Sequence, residues 1–486
     1  MPSTIRTETN LDLPAQHAHN PYLLGPFAPQ HEESCFNNLE VIGEIPRDLE
    51  GTYFRNGPNP KYAPKGRYHW FDGDGMIHAL AFRDGKVTYR NRYVQTKGLQ
   101  AEDETGSSRF SGLIEPDFTN PLGYIKDSAN TDLVMQNGKL VSTFYRCGKP
   151  YGLDPESLET LGPLDFGGKL KLPISAHTSV DPRTGEMMIF HYGVKAPYMY
   201  YGVVSAQGEL VNWTPVPLPG PRLPHDMAIT QNYSILMDLP VFMDPDALKH
   251  GRQRVGYFPE IPTRFAVIPR HGNSDQIRWF EAKPCYIYHV INAWEEGDEL
   301  VLDACRVLRP VPDRTAKISD LDRMKKVLAD ALQSARYHRY RFNLATDKTS
   351  EEQLWDMTSE FPMVSLDQTG LATRYSYHMS IPVMDTLRFD GLIKYDTATG
   401  SHQKYSFGPG RWGSEAPFAP RKNAASEDDG YLVSFVHDEI ENRSECLVLN
   451  AQNLSDPPVA RILIPHRVPL GFHATWANKA QLAGQA

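Results

Sequence analysis

Four of the chain's 17 histidines stand where imidazoles could work together. His177 follows Ser175-Ala176 and precedes the strand-and-turn text Val180-Asp181-Pro182. His225 lies in Leu223-Pro224-His225-Asp226-Met227, His289 in Tyr286-Ile287-Tyr288-His289-Val290, and His473 in Leu470-Gly471-Phe472-His473-Ala474. Each borders an apolar, strand-like run, so its side chain can enter a shared central space while the strand stays buried. No pair has the i, i+4 spacing of a helical zinc site, and no thiolate accompanies them. Imidazole alone suits iron, zinc or copper. Spacing leaves open both the metal and whether the four converge, and a lone histidine is more often a hydrogen-bonded residue than a ligand.

Between these histidines the chain is a succession of short apolar runs and tight turns. Arg83-Asp84-Gly85-Lys86, Gln136-Asn137-Gly138-Lys139, Asp181-Pro182-Arg183-Thr184-Gly185 and Asp428-Asp429-Gly430-Tyr431 have hairpin chemistry, since Asn-Gly and Asp-Gly supply the positive φ of a tight turn. Runs such as Leu140–Tyr145, Met187–Phe190 and Tyr431–Val436 read as strands. The pattern predicts a large all-β domain, either a barrel, stacked sandwiches or a propeller. Helical spacing of Leu321, Met324, Val327, Leu328 and Leu332 predicts one amphipathic helix over about 319–340. Residues 1–35 read as an irregular arm and 36–486 as a single domain.

The chain has 486 residues and a formal charge of −9, long enough for a core without staples and too acidic for a nucleic-acid face. Five scattered cysteines without CxxC spacing read as free thiols of a reducing compartment. No signal-like stretch and no run of about 18 apolar residues is present. The expectation is a cytoplasmic protein, with peripheral membrane contact left open. Leu239-Pro240-Val241-Phe242-Met243 is the candidate membrane rim, weighed against an ordinary buried strand end.

Nine blocks in order carry a resemblance. They are Gly51-Thr52-Tyr53-Phe54-Arg55-Asn56-Gly57-Pro58-Asn59-Pro60; His69-Trp70-Phe71-Asp72-Gly73-Asp74-Gly75-Met76-Ile77-His78; Ala129-Asn130-Thr131; Ala176-His177; His225-Asp226; His289 with Asn292-Ala293-Trp294-Glu295-Glu296-Gly297-Asp298; Glu360-Phe361-Pro362; Gly408-Pro409-Gly410-Arg411-Trp412-Gly413-Ser414-Glu415; and Gly471-Phe472-His473. Together they resemble the carotenoid cleavage oxygenases, non-haem iron enzymes, from about Leu39 to Trp476. The resemblance implies a seven-bladed β-propeller with a helix-containing cap over a tunnel for an apolar substrate. It also implies Fe(2+) on the axis, held by His177, His225, His289 and His473. Four neutral ligands add no charge that would favour ferric iron, and they leave a coordination position open.

The family places carboxylates behind three of its ligands, where they fix tautomer and ring plane. Glu360 and Glu415 match two of them. The third position falls on Tyr145 counting from Gly138, or on Arg146 counting back from Pro150, and neither is an acid. His225 is the ligand expected to lose its partner; Tyr145 could accept its N–H, and Arg146 could not. Phe71, Tyr145 and Tyr288 are tunnel-wall candidates, against plain core packing. Asp226 reads as a capping or electrostatic group rather than a base. Asp72-Gly73-Asp74-Gly75 reads as turn architecture, lacking the twelfth-position Glu of a calcium loop, and the flanking His69 and His78 are not ligand positions of the family.

The function implied is cleavage of one conjugated C=C bond of a carotenoid or apocarotenoid by O2, giving two carbonyl products. One alternative keeps the fold and cleaves a stilbene or phenylpropanoid alkene. That branch carries a Lys before the missing Glu, where this chain has Phe144 or Tyr145. The other alternative is a non-catalytic propeller that binds a hydrophobic ligand.

Overall fold

The computed structural model describes residues 13–243, 255–310 and 328–484. The predicted hairpins form where their turn residues adopt positive φ: Asp84 and Gly85 at 51° and 71°, Asn137 and Gly138 at 49° and 69°. These are the angles that join right-twisted strands through two residues. Each hairpin adds to a small antiparallel sheet, and seven such sheets form a propeller.

The first sheet runs inward from Cys35–Phe36 through Lys86–Tyr93, Gly75–Arg83 and Gly51–Pro58 to Ala474–Asn478. The others follow in chain order over 132–163, 179–217, 228–282, 286–353, 359–406 and 411–464. Ring closure uses both ends of the chain. Gly51–Pro58 pairs with Ala474–Asn478, and Val41–Gly43 pairs with Ala460–Ile464. Strands sandwiched between neighbouring blades are buried on both faces, as in Gly51–Pro58, whereas an outer strand such as Ser401–Ser406 alternates with solvent. The core therefore lies between blades: Phe265, Tyr340, Phe342 and Tyr395 pack into one cluster drawn from three consecutive sheets.

Close approach of the closing strand depends on glycine. A Cβ on Gly471 would collide with the guanidinium of Arg55, which is only 1% exposed. The motif Gly471-Phe472-His473 lets the last inner strand lie against the first.

Two expectations change. The helix predicted over about 319–340 ends early: among the described residues it covers 328–332, and Ala335–Asn343 is a strand of the fifth blade. Alternating burial of Tyr337, Tyr340 and Phe342 against neighbouring sheets overrides the helical spacing. Residues 319–327 lie outside the described residues. The candidate rim Leu239–Met243 is buried. Leu239, Val241 and Phe242 are covered, Val241–Met243 pairs with Val255–Tyr257, and Phe242 is stacked on Phe258 beneath Arg222. This is the buried strand end, not a membrane contact. The part of the arm within the described residues, from Leu13, makes short 3-10 turns, and Tyr22, Leu23 and Phe27 fasten it in one cluster with Trp70. All five cysteines are free, and no described helix is long and apolar enough to cross a membrane.

Candidate metal centre

Each innermost strand, or the turn leading into it, delivers one residue to the axis. His473 stands immediately before Ala474–Asn478, and Asp132 opens Asp132–Gln136. His177 precedes Ser179–Val180, and His225 precedes Ala228–Ile229. His289 lies within Tyr286–Glu296, Glu360 within Ser359–Met363, and Glu415 between Arg411–Gly413 and Phe418–Pro420. Irregular backbone turns several of these inward. His177 has φ 55° and Phe361, beside Glu360, has φ 50°, a region that non-glycine residues seldom adopt. Register shifts bracket His289, between Ile287 and Val290, and follow Glu360. Bulges of this kind re-aim a side chain without ending the sheet.

The structure brings the four predicted histidines together. One ring nitrogen from each lies within 4.8 Å of all the others, and the Nε2 atoms of His177 and His225 are 3.0 Å apart. His177, His289 and His473 are buried. The Nε2 of His289 is buried with no protein partner, an arrangement that costs on the order of 1–3 kcal/mol unless something binds it. A metal ion at the centre of the cluster would satisfy that nitrogen. The donor set, four imidazoles without thiolate, fits iron, zinc or copper.

Three of the four imidazoles are held from behind. His289 Nδ1 lies 2.5 Å from Glu360 Oε2, and His473 Nδ1 lies 3.2 Å from Glu415 Oε1. The third acid is Asp132, whose Oδ2 is 3.0 Å from His177 Nδ1. Burial pushes His177 down, but the hydrogen bond and charge of Asp132 outweigh it and the imidazole ends up raised; Asp132 is lowered in return. Burial, then the neighbouring imidazoles, hold His225 and His289 well below the ordinary histidine value, in the neutral form that ligates. Burial raises Glu360.

Asp132 is the residue that the motif reading missed. Only two of the matched acids, Glu360 and Glu415, were expected behind the ligands, with the gap at residue 145 or 146. The signal was its place: directly after Asn130-Thr131 and at the head of an inner strand, as with His473. The register question at the gap resolves toward Tyr145, whose ring lies 6.0 Å from that of His225 and 4.8 Å from that of Phe71. No hydrogen bond joins Tyr145 to His225, so the expected acceptance of its N–H is not made. Among the described residues no carboxylate reaches His225 either. Burial opposes the charge of Arg146, which lies near Tyr145, Tyr192 and Tyr124.

Asp226 accepts the backbone N–H of Met227 at 2.7 Å and that of Val290 at 2.7 Å. It ties the segment bearing His225 to the strand bearing His289, and its two oxygens are engaged. Burial raises it to about 6. His69 accepts from Phe71 N, and His78 is paired with Tyr89, both away from the cluster. Asp72 accepts the N–H groups of His69 and Leu113, capping the 3-10 turn Trp70–Asp72 just before the strand Gly75–Arg83.

Cavities of two kinds meet the imidazoles. One is narrow and apolar, with Phe71, Tyr145 and Tyr288 on its wall beside Leu328, Leu332, Phe361 and Phe472. The two leucines come from the helical residues 328–332. The other is polar, about 190 Å³, and touches Asp132, His177, Asp226 and Glu415.

Known proteins share this chain's pattern throughout. The retinal pigment epithelial membrane protein family matches residues 27–478. Carotenoid 9,10(9',10')-cleavage dioxygenase 1 of Phaseolus vulgaris is 38% identical, covering 96% of this chain and 91% of its own. Among solved structures, the lignostilbene dioxygenase of Pseudomonas brassicacearum superposes with a TM-score of 0.84 at 29% identity, covering 95% of this chain and 99% of its own. An apocarotenoid oxygenase of Synechocystis superposes with a TM-score of 0.79 at 26% identity, covering 93% and 97%.

Proposed function

The chain belongs to the carotenoid cleavage oxygenase family, and from that premise we propose that it is an iron(II)-dependent dioxygenase that cleaves one conjugated C=C bond of a carotenoid or apocarotenoid with O2, giving two carbonyl products. The observation that carries this reading is the cluster of four imidazoles, three of them backed by acids, at the inner end of an aromatic cavity. His177, His225, His289 and His473 would hold the ion, and Glu360 and Glu415 keep the protons on the Nδ1 atoms of His289 and His473. Bound iron supplies the centre at which dioxygen is activated.

The rest of the work falls to the chain's own side chains. Phe71, Tyr145, Tyr288 and Phe361 present flat apolar surfaces that fix a polyene's plane and keep water from the double bond. Holding one double bond beside the ion is a task of proximity and orientation. No acid or base is required of the protein, consistent with Asp226 being occupied by two backbone N–H groups.

A second reading has specific support. Tyr145 and Tyr288 bring two hydroxyl-bearing rings to the apolar cavity, and one of the superposing structures is a lignostilbene dioxygenase. Hydroxyls there suit a phenolic alkene. Product analysis of the iron-loaded protein with a panel of carotenoids, apocarotenoids and stilbenes separates the two. Paired carbonyl products from a polyene support the proposal, products from stilbenes alone favour the second reading, and no cleavage of either defeats both.

A polyene substrate resides in lipid, so the proposal extends to peripheral membrane contact. Phe118, Leu122 and Tyr124 are 67%, 44% and 46% exposed on one loop, with Phe118 and Tyr124 stacked at 5.3 Å. Liposome flotation should show binding that weakens when Phe118 and Leu122 are changed to Glu; equal flotation of both proteins removes this loop from the account.

A further inference from the structure

We propose that Asp132 is a positioning residue of the metal centre, replacing the carboxylate absent at Tyr145, and that the replacement moves carboxylate support from His225 to His177, making His225 the weakest-held of the four ligands. This rests on the proposed iron site.

Asp132 is built into the site in the same way as Glu360 and Glu415. Each of these acids does two jobs at once, taking an imidazole Nδ1–H and a backbone N–H at the head of an inner strand. Glu360 takes His289 and the N–H of Phe361. Glu415 takes His473 and the N–H of Ala474. Asp132 takes His177 and the N–H of Leu133, at 3.0 Å and 2.7 Å. An acid also held by a backbone N–H of an inner strand has little freedom to swing, so the imidazole bound to it is fixed in ring plane and tautomer.

Chain geometry explains why this acid serves a different histidine. Asp132 and Thr143 face each other across the hairpin of the second blade. Tyr145 lies just beyond Thr143, and its N–H is held by Thr131 at 3.2 Å. An acid at 145 would stand beside His225, where the tyrosine ring now lies. An acid at 132, on the inner strand, reaches the next blade's histidine, His177. The site keeps three acids among four ligands, but His225 is left with rings, Tyr145 and Tyr288, as its neighbours.

Iron(II) affinity, measured by chelator competition on the wild type and on Asp132→Asn, Asp132→Glu and Glu360→Gln, tests this, together with melting temperatures of the metal-free proteins. Asp132→Asn should weaken iron binding by about 10–100-fold, the scale of a lost partner behind a ligand, with the metal-free melting temperature lowered no more than in Glu360→Gln. Asp132→Glu should recover part of that loss. His225→Ala should retain more iron than His177→Ala. Wild-type affinity in Asp132→Asn, while Glu360→Gln loses iron, overturns the assignment of Asp132 alone. A loss in Asp132→Asn matched by a metal-free melting temperature below that of Glu360→Gln, and not recovered by Glu, also overturns it, since Asp132 would then act on the fold. A wild type that takes up no iron overturns the underlying reading instead.

Discussion

Two groups of buried histidines occupy this propeller, and the contrast between them marks the metal centre. His78, His378 and His437 lie inside blades. Each is answered by hydroxyls: Tyr89 at 2.7 Å for His78, Ser359 and Ser376 at 3.2 and 3.0 Å for His378, and Ser444 at 3.1 Å for His437. Burial holds His378 down to about 3 and His437 to about 4. They are neutral packing residues with local partners. The axial four are just as enclosed, but three have an acid behind one nitrogen, and each turns a nitrogen toward the other three. Neither histidine number nor burial separates the groups. Convergence does: a carboxylate alone also backs the blade histidine His338, through Glu351 at 3.2 Å, and is missing at His225, but only the axial four turn nitrogens toward one another.

The sharpest way to break the contrast is to remove one ring from each group. His289→Ala should abolish cleavage and strip most of the iron, whereas His378→Gln should leave iron content at wild-type stoichiometry; metal analysis of the two purified variants decides. A full equivalent of iron in His289→Ala would dissolve the distinction. Next in size, Glu360→Gln replaces an acceptor that His289 needs, and iron affinity or turnover should fall by about 10–100-fold, roughly 1.4–2.8 kcal/mol. The ligand set should remain four imidazoles, which X-ray absorption of the iron would check.

The blade histidines make a prediction of opposite kind, in acid rather than in metal. His378 is neutral in the fold down to about pH 3, whereas an unfolded histidine takes up its proton near pH 6.5. Between those values the unfolded chain binds more protons, so stability rises with pH. The contribution is complete above about 6.5 and is lost as pH falls toward 3, by up to about 1.36 kcal/mol per pH unit. His378→Gln, with nothing to titrate, should flatten the acid limb of a denaturation profile measured on metal-free protein; an identical limb would show that another group sets it. The smallest effect is expected at Tyr145→Phe. Iron affinity should stay within about twofold, because Tyr145 makes no hydrogen bond to His225. If a phenolic alkene is the substrate, KM for that alkene alone should rise by about fivefold, the scale of one hydrogen bond of about 1 kcal/mol.

What could be read before any coordinates followed from local chemistry. Asp84-Gly85 and Asn137-Gly138 announced their hairpins because the turn angles are demanded by two residues. The propeller itself was not readable from strands and turns, since strand–turn repetition is common to barrels and sandwiches; ordered motifs supplied it. The convergence of the histidines was likewise invisible in spacing, because residues 48 to 296 positions apart meet only through ring closure. The misjudged helix end came from helical periodicity in a segment where Ala335–Asn343 meets a neighbouring strand edge. Asp132 escaped because motif comparison asks whether a residue type is kept in place, whereas geometry asks only that some acid reach the ring.

Closure by the strand Ala474–Asn478 has a consequence for biosynthesis. On a translating ribosome the blades emerge in order, but the strand bearing His473 at its head appears after every other strand of the ring. Until then Gly51–Pro58 has one open edge, and no more than three of the four imidazoles are available. A nascent chain stalled before that point would offer incoming iron an incomplete chelate, so filling of the proposed site would follow synthesis. Iron uptake would then report that the ring is shut, and a truncated chain would be both poor in metal and exposed to proteolysis along its unpaired first blade.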